Sequence, residues 1–239
     1  MLRIEKLNKI YPNGVHAVKD LDLEIPKGEI YVMLGANGAG KTTTLMLTLG
    51  FTDFTSGRIL VNGIDMDKEP LKAKHHVSYV SENVQLYGNF TAIQNLDFFA
   101  RIGGKPNVTR EQVVKTLIRA GLPPDTHDRQ VKGYSKGMRQ RLGIAIAVIR
   151  QTGLILLDEP TSGLDPKGGA EFVELLKELR AEGRAILMTT HDIFRAKDLA
   201  DNLGIMVRGQ LLVTRTRDEL VHEDLEKLYI THIKQSVGG

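Results

Sequence analysis

The chain has 239 residues, a formal net charge of +3 and 41% hydrophobic residues, which suits one large domain or a core with an insertion. The absence of cysteine excludes disulfides, thiolate metal sites and a cysteine nucleophile, and suits a reducing compartment. The mildly basic charge includes no dense Lys/Arg run, so it favours a solvated surface over a nucleic-acid-binding face.

The N-terminal region is predicted to be rich in antiparallel strands. Its first residues have no long apolar segment, so no secretory signal is expected. Residues 2–18 predict a strand and a turn, residues 21–25 alternate apolar and acidic side chains, and Asn62-Gly63 predicts a hairpin. Tyr11 precedes the first turn, where an aromatic ring can pack within the protein or stack on a base.

A phosphate-binding loop is predicted after the next strand. Residues 29–34 are typical of a short buried strand, and residues 42–49 are apolar at helical spacing before Gly50. The segment between them fits G-x-x-x-x-G-K-[ST] and consists of Gly35, Ala36, Asn37, Gly38, Ala39, Gly40, Lys41 and Thr42. Backbone N–H groups and the helix N-terminus favour phosphate, Lys41 can reach the terminal phosphates, and the Thr42 hydroxyl can hold Mg²⁺. The nucleotide site is predicted to include the adjacent Thr43.

The middle of the chain, residues 89–153, is predicted to be a helical insertion. It follows a short strand at residues 77–80 and Glu82, a carboxylate that can ligate Mg²⁺, orient water, or simply be surface charge. Thr-x-x-Gln capping boxes at Thr91 and Thr109 predict the starts of two helices.

The insertion ends in a second candidate anion site. Ser135, Lys136 and Gly137 precede a helix predicted at the apolar run 142–149. A hydroxyl and N–H groups at a helix start can bind an anion, but Ser135 is equally suited to be a simple N-cap. The apolar run is the longest in the sequence and is far shorter than the ~20 residues that span a bilayer, so the chain is expected to be soluble by itself.

Two carboxylates end the next buried strand. Apolar residues 154–157 lead into Asp158 and Glu159, which suit Mg²⁺ and the attacking water respectively. Glu159 is therefore the candidate general base. A further buried strand at residues 184–190 ends at His191, whose imidazole can bond a γ-phosphate oxygen or position the water.

The remaining segments give structural predictions. Asp165 and Pro166 have the pattern of the N-cap and first residue of a helix. Residues 203–213 predict a hairpin around Arg208-Gly209, and residues 218–229 predict one or two helices.

In this order, the motifs resemble those of the nucleotide-binding subunit of an ATP-binding-cassette (ABC) transporter over almost the whole chain. The resemblance implies an α/β fold: a P-loop NTPase core with an antiparallel β subdomain and an inserted helical subdomain. It implies that residues 1–88 and 154–222 form the core with the β subdomain, that residues 89–153 form the helical subdomain with the signature motif, and that residues 223–239 form a C-terminal helix and tail.

The resemblance also implies a role for each site residue. Tyr11 becomes the adenine-stacking residue, His191 the switch histidine, and Asp158 and Glu159 the Walker B pair. Glu82 stands where the family usually has a metal-contacting glutamine. The signature motif and the D-loop, which carries Asp165, correspond to residues 135–140 and 162–165.

Two departures from the family pattern stand out. The signature usually reads Leu-Ser-Gly-Gly, whereas Tyr134 and Lys136 occupy its first and third positions here. Glu82 adds a negative charge beside the phosphates, where the family usually has the neutral amide of glutamine. Both variants are similar to those of cassettes that serve exporters with separately encoded membrane subunits.

The resemblance further implies the cofactors and partners. ATP and Mg²⁺ are expected between two copies of the chain, or between this chain and a closely related cassette, because a signature helix in this family faces away from its own phosphate site. A separate membrane permease is expected to dock near Glu82 and residues 83–87. This partner places the chain at the cytoplasmic face of the membrane, and no nucleic-acid partner is expected.

Other function classes share parts of this pattern. A soluble ABC-type ATPase of nucleic-acid or ribosome maintenance has the same site, usually with a long coiled-coil arm or two cassettes in one chain. A nucleotide-gated binding module without turnover is disfavoured by Glu159 and His191. A P-loop kinase needs an acceptor site where the signature motif lies.

Overall fold

The structure is a computed structural model that describes residues 1–237, so the last two residues of the predicted C-terminal tail lie outside the described residues. The strands are β1 Leu2–Ile10, β2 His16–Ile25, β3 Ile30–Leu34, β4 Ser56–Val61, β5 Ile64–Asp65, β6 Val77–Val80, β7 Leu154–Asp158, β8 Ala185–Thr190, β9 Asn202–Val207 and β10 Gln210–Thr216. The helices are α1 Lys41–Thr48, α2 Pro70–Lys74, α3 Ala92–Ile102, α4 Arg110–Arg119, α5 Lys136–Arg150, α6 Pro166–Ala181, α7 Ile193–Leu199, α8 Arg217–His222 and α9 Leu225–Val237.

The N-terminal strands form the predicted antiparallel sheet, in the order β2-β1-β4-β5. The apolar residues of the alternating segment, Leu21, Leu23 and Ile25, are buried, whereas the acidic residues between them are exposed. One face of this sheet therefore packs on the protein core and the other meets solvent.

The second sheet has the order β10-β9-β3-β8-β7-β6, and β9, β3, β8, β7 and β6 run parallel. All residues of β3, β7 and β8 are buried, as expected for parallel strands covered on both faces. Because the carboxyl ends of parallel strands meet at one edge of a sheet, the segments after β3, β6, β7 and β8 lie together there.

Helices α3, α4 and α5 occupy the predicted helical insertion. Both capping boxes are present, at Thr91 with Gln94 and at Thr109 with Gln112. Helix α5 is longer than its apolar run predicts, because its polar first turn begins at Lys136. These helices share one apolar cluster with the parallel sheet, so no structural gap marks their boundaries; the limits 89–153 stay a prediction.

Two smaller features refine the predictions. Helix α2 was not predicted, since it has only five residues and begins at a proline. The C-terminal segment forms two helices, separated at Glu223 and Asp224. Among residues 1–237, none of the helices has the length and apolar character needed to cross a membrane.

Candidate functional site

The phosphate-binding loop joins β3 to α1, as predicted, and its glycines are required by close backbone contacts. Gly40 has φ of 108°, and a Cβ atom there would lie 2.4 Å from the Ala17 carbonyl oxygen. A Cβ atom at Gly35 would lie 2.5 Å from the Met206 carbonyl oxygen. Both positions are therefore restricted to glycine. Among the described residues, no side chain caps α1, so its first N–H groups are available to an anion.

Lys41 lies inside this loop with a side chain that is 6% exposed. Its ammonium donates to the carbonyl oxygens of Gly35, at 2.6 Å, and Ala36, at 3.2 Å. The Glu159 Oε1 atom is 3.5 Å from the same nitrogen. A buried ammonium needs a compensating anion. Glu159 supplies this charge here, and a bound phosphate can supply it in the place of Glu159.

A carboxylate from the end of β7 reaches the start of α1. The Thr42 hydroxyl is 3.2 and 3.0 Å from the two carboxylate oxygens of Asp158. Asp158 also accepts a hydrogen bond of 2.5 Å from the Thr189 hydroxyl. Burial, with the negative charge of Asp158, raises the pKa of the nearby Tyr79 phenol. Hydroxyl and carboxylate oxygens are the protein ligands that Mg²⁺ prefers, so Thr42 and Asp158 fit this metal.

Thr189 is a site residue that sequence reasoning missed. It is fully buried in β8, and its hydroxyl fixes the orientation of Asp158. The only signal in the sequence is a pair of threonines at the end of an otherwise apolar strand, directly before His191.

We expect Thr189→Val to raise the Mg²⁺ concentration needed for half-maximal ATP hydrolysis about tenfold, because loss of an outer hydrogen bond to a metal ligand typically weakens metal binding by about 10 to 100-fold. The measurement is an Mg²⁺ titration of phosphate release at saturating ATP. Thr48→Val is the matched control, since the Thr48 hydroxyl is also buried but, among the described residues, donates only to the Thr44 carbonyl oxygen within α1. An equal shift in Thr48→Val would show that the effect comes from altered folding and not from the loss of the Thr189–Asp158 hydrogen bond.

Glu159 and His191 meet at the same edge of the sheet. The His191 Nδ1 atom is 3.0 Å from Glu159 Oε2, and the Glu159 backbone has φ of 45°. The Glu159 side chain is 11% exposed, whereas the His191 side chain is 63% exposed. Glu159 Oε1 has no hydrogen-bond partner among the described residues. One carboxylate oxygen thus contacts His191 and the other faces Lys41. Once a phosphate compensates Lys41, the second oxygen can accept a proton from water, as a general base does.

The signature segment lies against other parts of the same chain. The Ser135 hydroxyl oxygen accepts a hydrogen bond from the Met138 N–H at 3.2 Å and caps α5. A Cβ atom at Gly137 would lie 3.3 Å from the Gly163 carbonyl oxygen. The Lys136 ammonium is 2.9 Å from the Ser162 hydroxyl and 3.4 Å from Glu82 Oε1. Glu82 is therefore next to the signature segment, a contact that the sequence does not predict.

The other predicted residues have clear local roles. Asp165 is the N-cap of α6 and accepts a hydrogen bond from the Gly168 N–H at 3.0 Å. Tyr11 is partly exposed, and the Lys9 ammonium lies 4.9 Å from its ring centroid. The ring is available for stacking, and adenine stacking there stays a prediction.

The comparisons with known proteins agree with this geometry. The sequence model of the family described as ABC transporter matches residues 18–162. The lantibiotic transport ATP-binding protein SrtF of Streptococcus pyogenes is 34% identical, over 98% of this chain and 97% of that protein. The Nod factor export ATP-binding protein I of Cupriavidus metallidurans is 35% identical, over 94% and 74% of the two chains.

Solved structures share the whole architecture. A dimeric post-hydrolysis structure of the ATP-binding cassette MJ0796, bound to ADP and Pi, superimposes with a TM-score of 0.85 and 25% identity, over 91% of this chain and 99% of that chain. The predicted fold class, a P-loop core with an antiparallel β sheet and inserted helices, is confirmed. The chain belongs to the ABC transporter family and is an ATP-binding, ATP-hydrolysing subunit of that family.

Proposed function

We propose that two copies of this chain bind two Mg-ATP between them and that ATP hydrolysis drives a separate membrane permease. The observation that supports this most strongly is that the two candidate phosphate-binding segments have different partners within one chain. Lys41 and Thr42 contact Glu159 and Asp158, whereas Lys136 and Gly137 contact the D-loop. Each copy then contributes one half of a phosphate site. The MJ0796 cassette, which is dimeric with ADP and Pi bound, is a precedent for a dimer of such cassettes.

The proposed chemistry assigns each step to a side chain. Lys41 and the loop N–H groups bind the phosphates, and Thr42, Glu82 and Asp158 would hold Mg²⁺, which neutralises phosphate charge when bound. Glu159 accepts a proton from the attacking water, and His191 orients this carboxylate across the 3.0 Å contact. Ser135 and Gly137 of the second copy donate to the terminal phosphate and stabilise the charge that develops there.

An aromatic cluster is the proposed docking surface for the permease. It consists of Tyr87, Phe90, Phe98 and Phe99, with the Tyr87 ring centroid 5.1 Å from those of Phe90 and Phe98. Tyr87 and Phe90 are 49% and 37% exposed. Exposed aromatic groups next to polar loops are typical of interaction surfaces. We propose that the aromatic cluster receives an amphipathic cytoplasmic helix of the permease.

The position of Tyr87 is fixed by a buried amide. The Asn95 side chain, fully buried in α3, accepts from the Tyr87 N–H at 2.9 Å and donates to the Tyr87 carbonyl oxygen at 3.0 Å. The segment that follows Glu82 is thereby attached to the helical insertion. A movement of the aromatic cluster can therefore be transmitted along residues 83–87 to Glu82, because Asn95 holds Tyr87 at the other end of this short segment.

We expect the double variant Tyr87→Ala, Phe98→Ala to lower transport about tenfold or more, because loss of buried aromatic anchors typically costs about 2 kcal/mol of binding or more. Basal ATP hydrolysis should stay within about two-fold, since neither residue touches the phosphate site. The measurement is transport in vesicles that contain the copurified permease, alongside phosphate release. Phe51→Ala is the control, since Phe51 is 66% exposed outside the aromatic cluster. Equal loss of transport and hydrolysis would contradict this surface.

The names of the relatives indicate the transport direction. SrtF is named for lantibiotic transport and the Cupriavidus protein for Nod factor export, so we propose an exporter whose cassette lies at the cytoplasmic face of the membrane. A pull-down from solubilised membranes tests the partner. Recovery of a multi-spanning membrane protein supports the proposal, and recovery of nucleic acid instead would contradict it.

A further inference from the structure

The two departures from the family pattern contact each other. Glu82 follows β6, and Lys136 opens α5, yet the Glu82 carboxylate and the Lys136 ammonium are 3.4 Å apart. Ser162 joins both, since its hydroxyl is 2.9 Å from the ammonium and 3.5 Å from the carboxylate. The three residues, which we call the clasp, belong to segments that are 54 and 26 residues apart in sequence.

The clasp reduces the repulsion between the Glu82 carboxylate and a bound phosphate. Residue 82 lies just beyond the end of β6, which pairs with the strand that ends at Asp158. An uncompensated carboxylate at this edge repels phosphate, whereas one paired with an ammonium does not. A cation at position 136 therefore offsets the charge that glutamic acid introduces at position 82.

The same carboxylate is needed elsewhere in the proposed function. Glu82 occupies the position of a metal-contacting residue, and its oxygens suit Mg²⁺. The two charged side chains of the clasp are partly exposed, at 46% for Glu82 and 40% for Lys136, so their pairing is weak enough to be exchanged. A cleft of about 400 Å³ next to the clasp, lined by Glu82, Lys132, Lys136 and Gln140, leaves room for the side chains to move.

We infer that Lys136 is a positioning residue that holds Glu82 in the nucleotide-free chain and competes with Mg²⁺ for its carboxylate. The inference rests on the proposed function, because Glu82 must serve the same Mg-ATP site. It gives Lys136 a partner in its own chain, rather than a contact to the phosphate of the opposite copy. When Mg-ATP binds Glu82, Lys136 and Ser162 are released, and these residues belong to the signature segment and the D-loop. Because both segments face the opposite copy in the proposed dimer, metal binding at one site then affects the other site.

The first test measures Mg²⁺ dependence without turnover, from the equilibrium binding of a fluorescent N-methylanthraniloyl-ATP in an Mg²⁺ titration. We expect Lys136→Gln to lower the half-saturating Mg²⁺ concentration about two- to five-fold, the range that the coupling of one exposed ion pair allows. In a Glu82→Gln background, Lys136→Gln should cause no further shift. Lys136→Arg should restore the wild-type value, because it keeps the charge.

Lys132→Gln is the matched control for this titration. It removes the same charge from the same cleft, and Lys132 forms no ion pair with a side chain of residues 1–231. Equal shifts in Lys132→Gln and Lys136→Gln, or the same shift of Lys136→Gln in the Glu82→Gln background, would overturn the inference. Failure of the wild-type chain to bind the fluorescent nucleotide at all would instead refute the proposed function and, with it, the competition.

The second test detects the clasp directly. A water-soluble carbodiimide joins a carboxylate and an amine in contact through an amide, with loss of water, and mass spectrometry identifies the linked peptides. We expect a Glu82–Lys136 link in the nucleotide-free chain, and about three-fold less of it with saturating Mg-ATP but not with ATP and a chelator. The Glu174–Lys177 pair, 2.8 Å apart, is the internal standard. Detection of the Glu174–Lys177 link without the Glu82–Lys136 link would contradict the inference. A Glu82–Lys136 link whose amount does not change with bound Mg-ATP would contradict it as well.

Discussion

Glu159→Gln should abolish most of the ATP hydrolysis by this chain while ATP binding persists. Glutamine has the same shape as glutamate but accepts no proton, and loss of a general base typically lowers the rate by about 10² to 10⁴-fold. The neutral amide also removes the carboxylate that lies 3.5 Å from the Lys41 ammonium. Lys41 is then free to compensate phosphate, so the affinity for ATP should be maintained or increased.

The trapped nucleotide gives a second, physical readout. With hydrolysis blocked, each ATP continues to join the Lys41 side of one copy to the Ser135 side of the other, so Glu159→Gln with Mg-ATP should elute as a dimer in size-exclusion chromatography. Removal of Mg²⁺ or ATP should return it to the monomer, because the dimer then loses the ligand that it shares. Monomeric elution with ATP bound would contradict the shared site.

A charge-matched control distinguishes the loss of the general base from the loss of one negative charge anywhere on the protein. Glu174→Gln removes a carboxylate on α6 whose partner is Lys177, an exposed pair that contributes little to stability. We expect phosphate release by Glu174→Gln within about two-fold of wild type, as for other surface substitutions away from a site. A similar loss in both variants would remove the special role of Glu159.

The structure brings together several of the candidate residues that the sequence singled out, since Glu159 contacts Lys41 and His191, and Thr42 contacts Asp158. Lys41, Asp158 and His191 follow apolar runs typical of parallel strands, and parallel strands present their carboxyl ends at one edge. The convergence of the P-loop with both carboxylates therefore follows from local pattern and general topology. This is why the proximity of these candidate residues could be predicted before any contact was known.

Contacts between segments that are distant in sequence could not be predicted in the same way. The Thr189 hydroxyl reaches Asp158 across 31 residues, and Lys136 reaches Glu82 across 54 residues. Neither pair has a periodic or motif signal, because a hydrogen bond between loops depends on tertiary packing and not on spacing along the chain. Sequence analysis therefore identified Glu82 and Lys136 as separate departures, and the structure shows them to be in contact.

Gly137→Asp should separate ATP binding from dimer formation. The residue is in the first turn of α5, where an acidic side chain interacts favourably with the helix dipole, so the helix should still form. The new Cβ atom would lie 3.3 Å from the Gly163 carbonyl oxygen, which requires a small local shift. In the proposed dimer, the same carboxylate faces the terminal phosphate of the opposite copy. Repulsion between two such charges at about 4 Å near a protein surface is worth about 4 kcal/mol, which corresponds to a loss of association of about a hundred-fold or more.

The affinity of the monomer for ATP distinguishes an effect of Gly137→Asp on dimer formation from an effect on nucleotide binding. Lys41, Thr42 and Asp158 are unchanged in Gly137→Asp, so fluorescent ATP should bind at low protein concentration within about two-fold of wild type. In the Glu159→Gln background, the same variant should elute as a monomer. Gly133→Asp places the same charge four residues earlier, at a position where a new Cβ atom meets nothing within 4 Å, and it should still dimerise. If Gly137→Asp weakens nucleotide binding by the monomer as much as dimer formation, the signature segment acts on its own phosphate site, and the proposed arrangement of two half-sites is wrong.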